Sequence, residues 1–506
     1  MNDTIDRAEI FWHKYKYYPY EKELAYRELV SIFKSSDIEV KKDYISVYGA
    51  ITPEKVKELV YFSKGKINGS ELLTTQKKIE NGYLDKSKKQ NTRYSAHGLH
   101  EYKGKFNPQV VQALLNIFNV NPRHLVLDPF CGSGTTITEC AHRGILSIGA
   151  DINPLAVKIS NAKIRAVNTN VDLLEITLNL VCEKFLNGLK KKVSISQEDS
   201  VRVEYLKKWF DEDTFYKIEL YRQIVENIDS SLKDILLILG SNLLRDYSLQ
   251  EPSDLRIRRR ISPMPNISFE DNLQNAIANF VLSIRNSQSI IGVKESNNFA
   301  VNQDITSFDS DFIIKDDSVD FAITSPPYAT ALPYIDTQRL SLVWLNLISP
   351  EDIRPLEGNL IGSREFSKKI QLFEWNEKLD KNSENLPDEV FNLCVNLKKS
   401  LSDNDGFRRQ AVPALMYRYF SNMKSAFISI RNKLKKDSFF TLIVGHNTTT
   451  LGGNKIEINT PEMLGIIGSQ VNFEFTENME LQTYQRYGLH YSNSVNRESL
   501  IVLRKK

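Results

Sequence analysis

HLVLDPFCGSGTT, residues 124–136, decides how the chain is read. His124 to Asp128 predicts a short apolar strand ending in an acid, and PFCGSGTT predicts a tight turn leading into a helix at Ile137–His142. Glycine has no Cβ and tolerates positive φ, so the backbone of such a turn can come close to a ligand. The helix behind it aims free N–H groups the same way. The spacing is not that of a GxxxxGK[ST] phosphate loop, and it falls short of the full GxGxxG fingerprint. GILSIGAD, residues 144–151, predicts a second strand ending in an acid, and NPLAVKISNAKIRAV starts a helix with Asn153 as cap and Pro154 just inside it. Strand, turn, helix, strand, acid, helix is the opening of a doubly wound α/β domain. Asp151 lies 19 residues after Gly132, where an acid accepts hydrogen bonds from ribose hydroxyls. Asp128 stands where a carboxylate can meet the amino group of an amino-acid moiety. A nucleoside with a positively charged tail suits this site better than one with a diphosphate; a tight turn that binds nothing is the bland alternative.

The α/β rhythm resumes at SVDFAITSPPY, residues 318–328. Two successive prolines fix φ and donate no N–H, which leaves a rigid row of carbonyl acceptors beside an aromatic ring. Ser325, Pro326, Pro327 and Tyr328 can hold a planar amino group, with –NH₂ donating into the carbonyls and the ring stacking on Tyr328. A strand-end turn with a packed tyrosine is the alternative. Asp304, in VNQDITSF, precedes this strand. Helical patterns occupy 172–189 and 214–246, an amphipathic helix 413–434, and apolar strands SFFTLIVGHN (438–447) and the closing ESLIVLRKK; TPEMLGIIG suggests a helix capped by Thr460. His446 ends one of these strands, at a pocket rim or in a structural role. The expected divisions are a helical segment over 1–90, a first α/β part over 91–170, a mainly helical insertion over 171–300, a catalytic part over 301–349, a second polar insertion without sustained periodicity over 350–410, and a closing α/β part over 411–506.

With 41% hydrophobic and 10% aromatic residues, the 506-residue chain can bury a real core and is not compositionally disordered. A net charge of +3 says nothing about a polyanionic partner; placement matters more. Arg256, Arg258, Arg259 and Arg260 cluster in SDLRIRRRISP, which suits phosphate contact as well as an ordinary solvated loop. Four cysteines form no CxxC pair, so no metal site or disulfide scaffold is signalled and a reducing cytoplasm fits. No run reaches 18 apolar residues, and the first residues lack the signal-peptide pattern, so no membrane association is expected.

LVLDPFCGSGTT, GADINPLAVKISNAK, VNQD and VDFAITSPPY, in this order, resemble the motifs of the amino-methylating DNA methyltransferases, which make N4-methylcytosine or N6-methyladenine. HGLHEYKGKFNPQVVQALL (97–115) resembles the segment that closes over the methionine end of the cofactor in one branch, and the resemblance spans about 97–166, 300–364 and 413–506 but not 1–90. It implies an α/β fold, a doubly wound Rossmann-like methyltransferase sheet with a helical N-terminal appendage and two insertions. The implied cofactor is S-adenosylmethionine, held by Lys105, Phe106, Asp128, Pro129, Phe130, Gly132, Gly134, Thr135, Asp151, Ile152 and Asp304. Ser325, Pro326, Pro327 and Tyr328 are the implied catalytic residues. The implied partner is double-stranded DNA, contacted by the arginine cluster and Arg364, in a restriction–modification or other defence setting. Serine before PPY leans toward cytosine N4; adenine N6 and RNA amines are alternatives, as is an inactive DNA-binding subunit. The target base must leave the duplex to enter such a pocket.

Overall fold

Alternation along the strands explains the layered core. Val126, Phe321, Ile323, Ile443, Leu500 and Val502 enter one apolar cluster, while their neighbours Leu127, Ala322, Leu442, Val444, Ile501 and Leu503 enter another. Successive side chains of a strand point to opposite faces, so a sheet buried on both faces needs such continuous apolar runs. The computed structural model of the chain describes residues 5–34, 37–81, 90–195, 200–307, 313–330, 334–366, 368–482 and 497–506.

The central sheet has seven strands: β1 (Leu125–Asp128), β2 (Leu146–Asp151), β3 (Phe299–Asn302), β4 (Val319–Thr324), β5 (Leu434–Gly445), β6 (Phe473–Gln482) and β7 (Arg497–Lys505). Edge to edge they run β3-β2-β1-β4-β5-β7-β6. β3, β2, β1, β4 and β5 are parallel, and β7 runs antiparallel between β5 and β6. The chain winds from β1 outward to β3, then returns to place β4 on the other side of β1. The β1–β4 boundary is therefore a topological switch point, where α/β sheets bind ligands beyond the carboxyl ends of their strands. This is the doubly wound Rossmann-like arrangement expected from the motifs.

Residues 5–81 correct the expectation of a helical appendage. Strands Ile5–Trp12, Ile38–Val40, Ile45–Ile51, Phe62–Ile67 and Ser70–Leu73 form a five-stranded sheet, covered by helix Pro19–Phe33. The strands bury only part of their length on one face: Ala8 and Ile10 in the first, Ile45 and Val47 in the third. That leaves too little two-residue alternation to outweigh their charged residues. The unit is packed onto the central domain, with Leu29, Val47, Val111, Leu114 and Val502 in one cluster and Arg27 gripping Glu477 of β6 through both guanidinium nitrogens at 2.7 Å.

Between β2 and β3, helices Val171–Lys190, Val201–Lys207, Glu212–Glu226, Lys233–Leu243 and Phe269–Ile291 bury a common core with helix Pro154–Asn168 and with helix Tyr334–Trp344, which follows β4. The stretch 350–410 also departs from the sequence reading: helices Lys369–Lys381 and Asp388–Lys399 fully bury Leu379, Val390, Cys394 and Leu397 and pack Trp375, Phe391, Leu393 and Val395 partly against the same core, with charged residues between them that mask the pattern. Helix Thr460–Gln470 is capped by Asn459, one residue before the expected cap. All four cysteines are free and buried. No helix among the described residues is long and apolar enough to cross a membrane.

Candidate active site

The turn after β1 has the two special glycines its sequence requires. Gly132 and Gly134 have φ of +49° and +74°. A side chain on Gly132 would meet the Tyr102 ring at 3.2 Å, and one on Gly134 would meet Ser160 Oγ at 2.6 Å. The turn is held from beneath: Ser160 Oγ donates to Gly132 O at 2.8 Å and the buried Lys163 ammonium donates to Ser133 O at 2.7 Å. Burial holds that lysine far below its ordinary pKa. Gly134 caps helix Thr135–His142.

Both strand-end acids point into this turn. Asp151 accepts from Gly132 N and from Asn153 N, each at 2.9 Å. Asp128 accepts from Phe130 N at 3.2 Å and from the Thr324 hydroxyl at 2.7 Å, which joins the end of β1 to the end of β4. Burial pushes both carboxyls up to about 6, against the pull of these donors.

Residues 94–106 form a strap over the turn. Lys105 Nζ donates to Thr92 O at 2.8 Å and His97 O at 3.1 Å, and burial pushes it down to about 8. The strap is moored to helix Thr135–His142 by Glu139, which receives His97 Nε2 at 2.5 Å, the Tyr94 hydroxyl at 2.9 Å and the Gln112 amide. Burial pushes His97 down to about 3, so it is neutral and donates through Nε2. His97, Glu139 and His142 bring potential metal-ligand atoms within 4.8 Å of one another. Both Glu139 oxygens are already engaged by these donors, which is the pattern of a hydrogen-bonded mooring.

Tyr102, Lys105, Phe106, Asp128, Phe130, Gly132, Thr135 and Ser325 line one pocket. Six expected cofactor residues thus share a pocket with the first residue of SPPY. Asp151 adjoins it through Gly132, and Pro129 lies between Asp128 and Phe130 in the same turn. Ile152 contributes a carbonyl to Asn302 Nδ2 at 2.9 Å. Asp304 stands one residue beyond Gln303, whose N–H donates to Asp151 O at 3.1 Å, and one Asp304 oxygen caps Thr306.

The SPPY loop is braced from three directions. The Tyr328 hydroxyl donates to Glu498 Oε1 of β7 at 2.7 Å. Asn447 donates its amide to Ala329 O. The segment 361–366 packs over the loop: Gly362, at φ +81°, leaves so little room that a Cβ would meet Tyr328 O at 2.2 Å, and Arg364 Nε donates to Thr330 O. Arg364 therefore supports the loop's backbone while remaining solvent-exposed.

The arginine cluster divides. Arg256, Arg258 and Arg259 are exposed; Arg258 makes a loose pair with Asp254 at 3.7 Å, and Arg259 lies over Trp209 at 4.9 Å. Arg260 spends its donors on the carbonyls of Ser248, Asp246 and Pro263 at 2.7, 2.6 and 3.0 Å, so it fixes a loop and is not free for phosphate. His446 lies against β7, 3.3 Å from Ser499 Oγ, and does not line the pocket. Sequence reading missed Tyr102, Thr324, Lys163 and Glu498. Lys163 alone left a trace, as a charge on the apolar face of its helix.

A family model described as DNA methylase matches residues 5–162, so the N-terminal sheet, outside the resemblance read from the motifs, falls inside the match. The chain is 31% identical over 235 residues to the type II methyltransferase M.MjaII of Methanocaldococcus jannaschii, covering 41% of this chain and 43% of that protein. It is 24% identical over 308 residues to the type II methyltransferase M.MvaI of Kocuria varians, covering 54% and 63%. The chain thus spans about half the length of these curated relatives. The solved structure of TrmN from Thermus thermophilus aligns over 99% of each chain at 10% identity, but its TM-score of 0.33 carries no argument. In fold and motif order the chain is similar to methyltransferases built on a Rossmann-like sheet. The family model it matches is described as DNA methylase, and the curated relatives are type II methyltransferases.

Proposed function

We propose that the chain transfers a methyl group from S-adenosylmethionine to the exocyclic N4 of a cytosine flipped out of double-stranded DNA. The carrying observation is the Asp128–Thr324 hydrogen bond at the switch point, which puts the glycine turn and Ser325 on one pocket. The residues fit the cofactor: Gly132 and Gly134 hold positive φ with Tyr102 and Ser160 close against them, and the buried Asp128 and half-buried Asp151 carboxyls face the turn. S-adenosylmethionine supplies an already activated methyl group when bound.

In this reading Asp151 accepts the ribose hydroxyls, Asp304 serves the adenine side, Asp128 meets the amino group, and the strap with Lys105 and Phe106 covers the methionine end. The Ser325 side chain and the Pro326 carbonyl accept from the target –NH₂ and turn its lone pair toward the donor, while Tyr328 stacks on the base. Alignment and preorganised dipoles supply the rate. Stacking contributes about 1–3 kcal/mol toward the cost of flipping. Arg256, Arg258 and Arg259 contact phosphates, and Arg364 supports the SPPY loop through Thr330 O. Serine ahead of PPY supports cytosine over adenine, and the relatives' designation as type II methyltransferases supports a restriction–modification setting.

The test is modified-base sequencing of DNA from cells expressing the protein, with nucleoside analysis after hydrolysis. N4-methylcytosine at a defined motif is expected. N6-methyladenine would move the target to adenine, and methylated RNA with unmodified DNA would reject the substrate. Failure to bind S-adenosylmethionine in calorimetry would reject the enzyme reading altogether.

A further inference from the structure

The stretch Leu249–Arg260 is a small hairpin. Glu251 N donates to Arg258 O at 2.9 Å and Arg260 N to Leu249 O at 2.8 Å, with Gln250 and Arg259 bridged antiparallel between them. Its backbone is fixed on every side. The Arg260 fork holds the stem, Arg245 holds the Asp254 carbonyl near the tip, and the Glu251 carboxylate accepts from Ile261 N and Ser262 N, both at 3.1 Å. Ile261, the residue that follows the hairpin and is held to it through its N–H, is 83% exposed, and Ile257 in the hairpin and Met264 beyond it are exposed as well. Arg256, Arg258 and Arg259 stand among them.

The hairpin is also tied to the helix that follows the SPPY loop. Gln250 Nε2 donates to Asp336 O at 3.2 Å, and Arg339 Nη2 donates to Gln250 Oε1 at 3.1 Å. Trp209 lies between Arg339, 3.8 Å from its ring centre, and Arg259. The position of the hairpin relative to the catalytic loop is therefore set by the fold.

Holding an isoleucine rigidly in water contributes nothing to folding. Guanidinium groups around it disfavour an apolar protein partner, which would bury them unpaired. They favour a polyanion whose interior is apolar, and duplex DNA is one: phosphates outside, stacked base faces within. A base leaving the stack opens a gap lined by such faces, and aliphatic wedges enter gaps of this kind.

We propose that this hairpin docks against the duplex beside the target and that Ile261, immediately after its second strand, fills the space the flipped base vacates, with Arg256 and Arg258 on the flanking phosphates. The proposal rests on the DNA-methylating function above and identifies the element that stabilises the flipped state.

The test compares wild type with Ile261→Ala on two synthetic duplexes carrying the motif returned by modified-base sequencing, one fully paired and one with the target base mispaired. Melting temperature and S-adenosylmethionine affinity are measured alongside. The variant is expected to lose about tenfold or more in kcat/KM on the paired duplex and less than about threefold on the mispaired one, whose target leaves the stack more easily. Folding and cofactor binding stay unchanged, and Ile261→Leu restores activity. Equal losses on both duplexes, or no loss, would overturn the wedge while leaving the methyltransferase reading intact. Wild-type protein that methylates no DNA would overturn both. Binding to phosphatidylserine vesicles that falls in Ile261→Ala, with DNA methylation unaffected, would assign the hairpin to a membrane surface instead.

Discussion

Replacing Asp128 with Asn should make the protein more stable and less functional, by an amount that depends on pH. Asp128 is 2% exposed, and burial raises its carboxyl from 3.8 to about 6. A carboxyl with a raised folded pKa takes up a proton on folding, so its ionisation costs the native state stability as pH rises from about 4 to about 6, and the cost persists above. At about 1.4 kcal/mol per pH unit, the full cost is ~3 kcal/mol at pH 8 and ~2 kcal/mol at pH 5. An amide is uncharged, and its oxygen can still accept from Thr324 and Phe130 N at the positions now 2.7 and 3.2 Å from Oδ1. Urea unfolding of both proteins at pH 5 and pH 8 measures the gain, and calorimetry at pH 8 should show lost cofactor affinity. A variant no more stable than wild type at pH 8, or a gain equal at the two pH values, would refute the account of Asp128 as a charge held at the expense of stability.

Gly362→Ala should reduce methyl transfer and leave cofactor affinity nearly unchanged, because its Cβ would push on Tyr328 O from 2.2 Å; steady-state kinetics beside calorimetry would show the split. Arg260→Ala should lower stability by about 1–3 kcal/mol through the carbonyls it strands. Arg258→Ala should leave stability unchanged and reduce the slope of log K against log salt by about one; salt titrations of DNA binding with thermal melts separate the two. Glu139→Ala should cost about 1–3 kcal/mol for each buried donor it leaves unsatisfied, among them His97, Tyr94 and Gln112, and should loosen the strap, read as faster amide exchange over 94–106.

The parts of the fold legible in sequence were those where residue type and backbone need coincide. The turn 129–136 requires positive φ at Gly132 and Gly134, and the strands ending at Asp128, Asp151 and Thr324 are buried on both faces, so both left plain patterns. The N-terminal sheet was not legible because its strands mix charged and polar residues with their apolar ones and bury only part of their length. The division of labour in the arginine cluster was also hidden. Arg260 is distinguished from Arg258 only by backbone carbonyls brought near by folding, and carbonyls carry no sequence signature. Glu498 was hidden for a related reason: it meets Tyr328 only because β7 passes the end of β4's loop.

That last strand is inserted between two that precede it in the chain, β5 and β6. During synthesis the glycine turn and its two acids leave the ribosome long before Arg497–Lys505, and β6 has no neighbour to pair with until β7 arrives. The same event that closes the sheet delivers Glu498 to the Tyr328 hydroxyl. A nascent chain can therefore form its glycine turn early, while the Tyr328 ring gains its carboxylate brace only once β7 has paired.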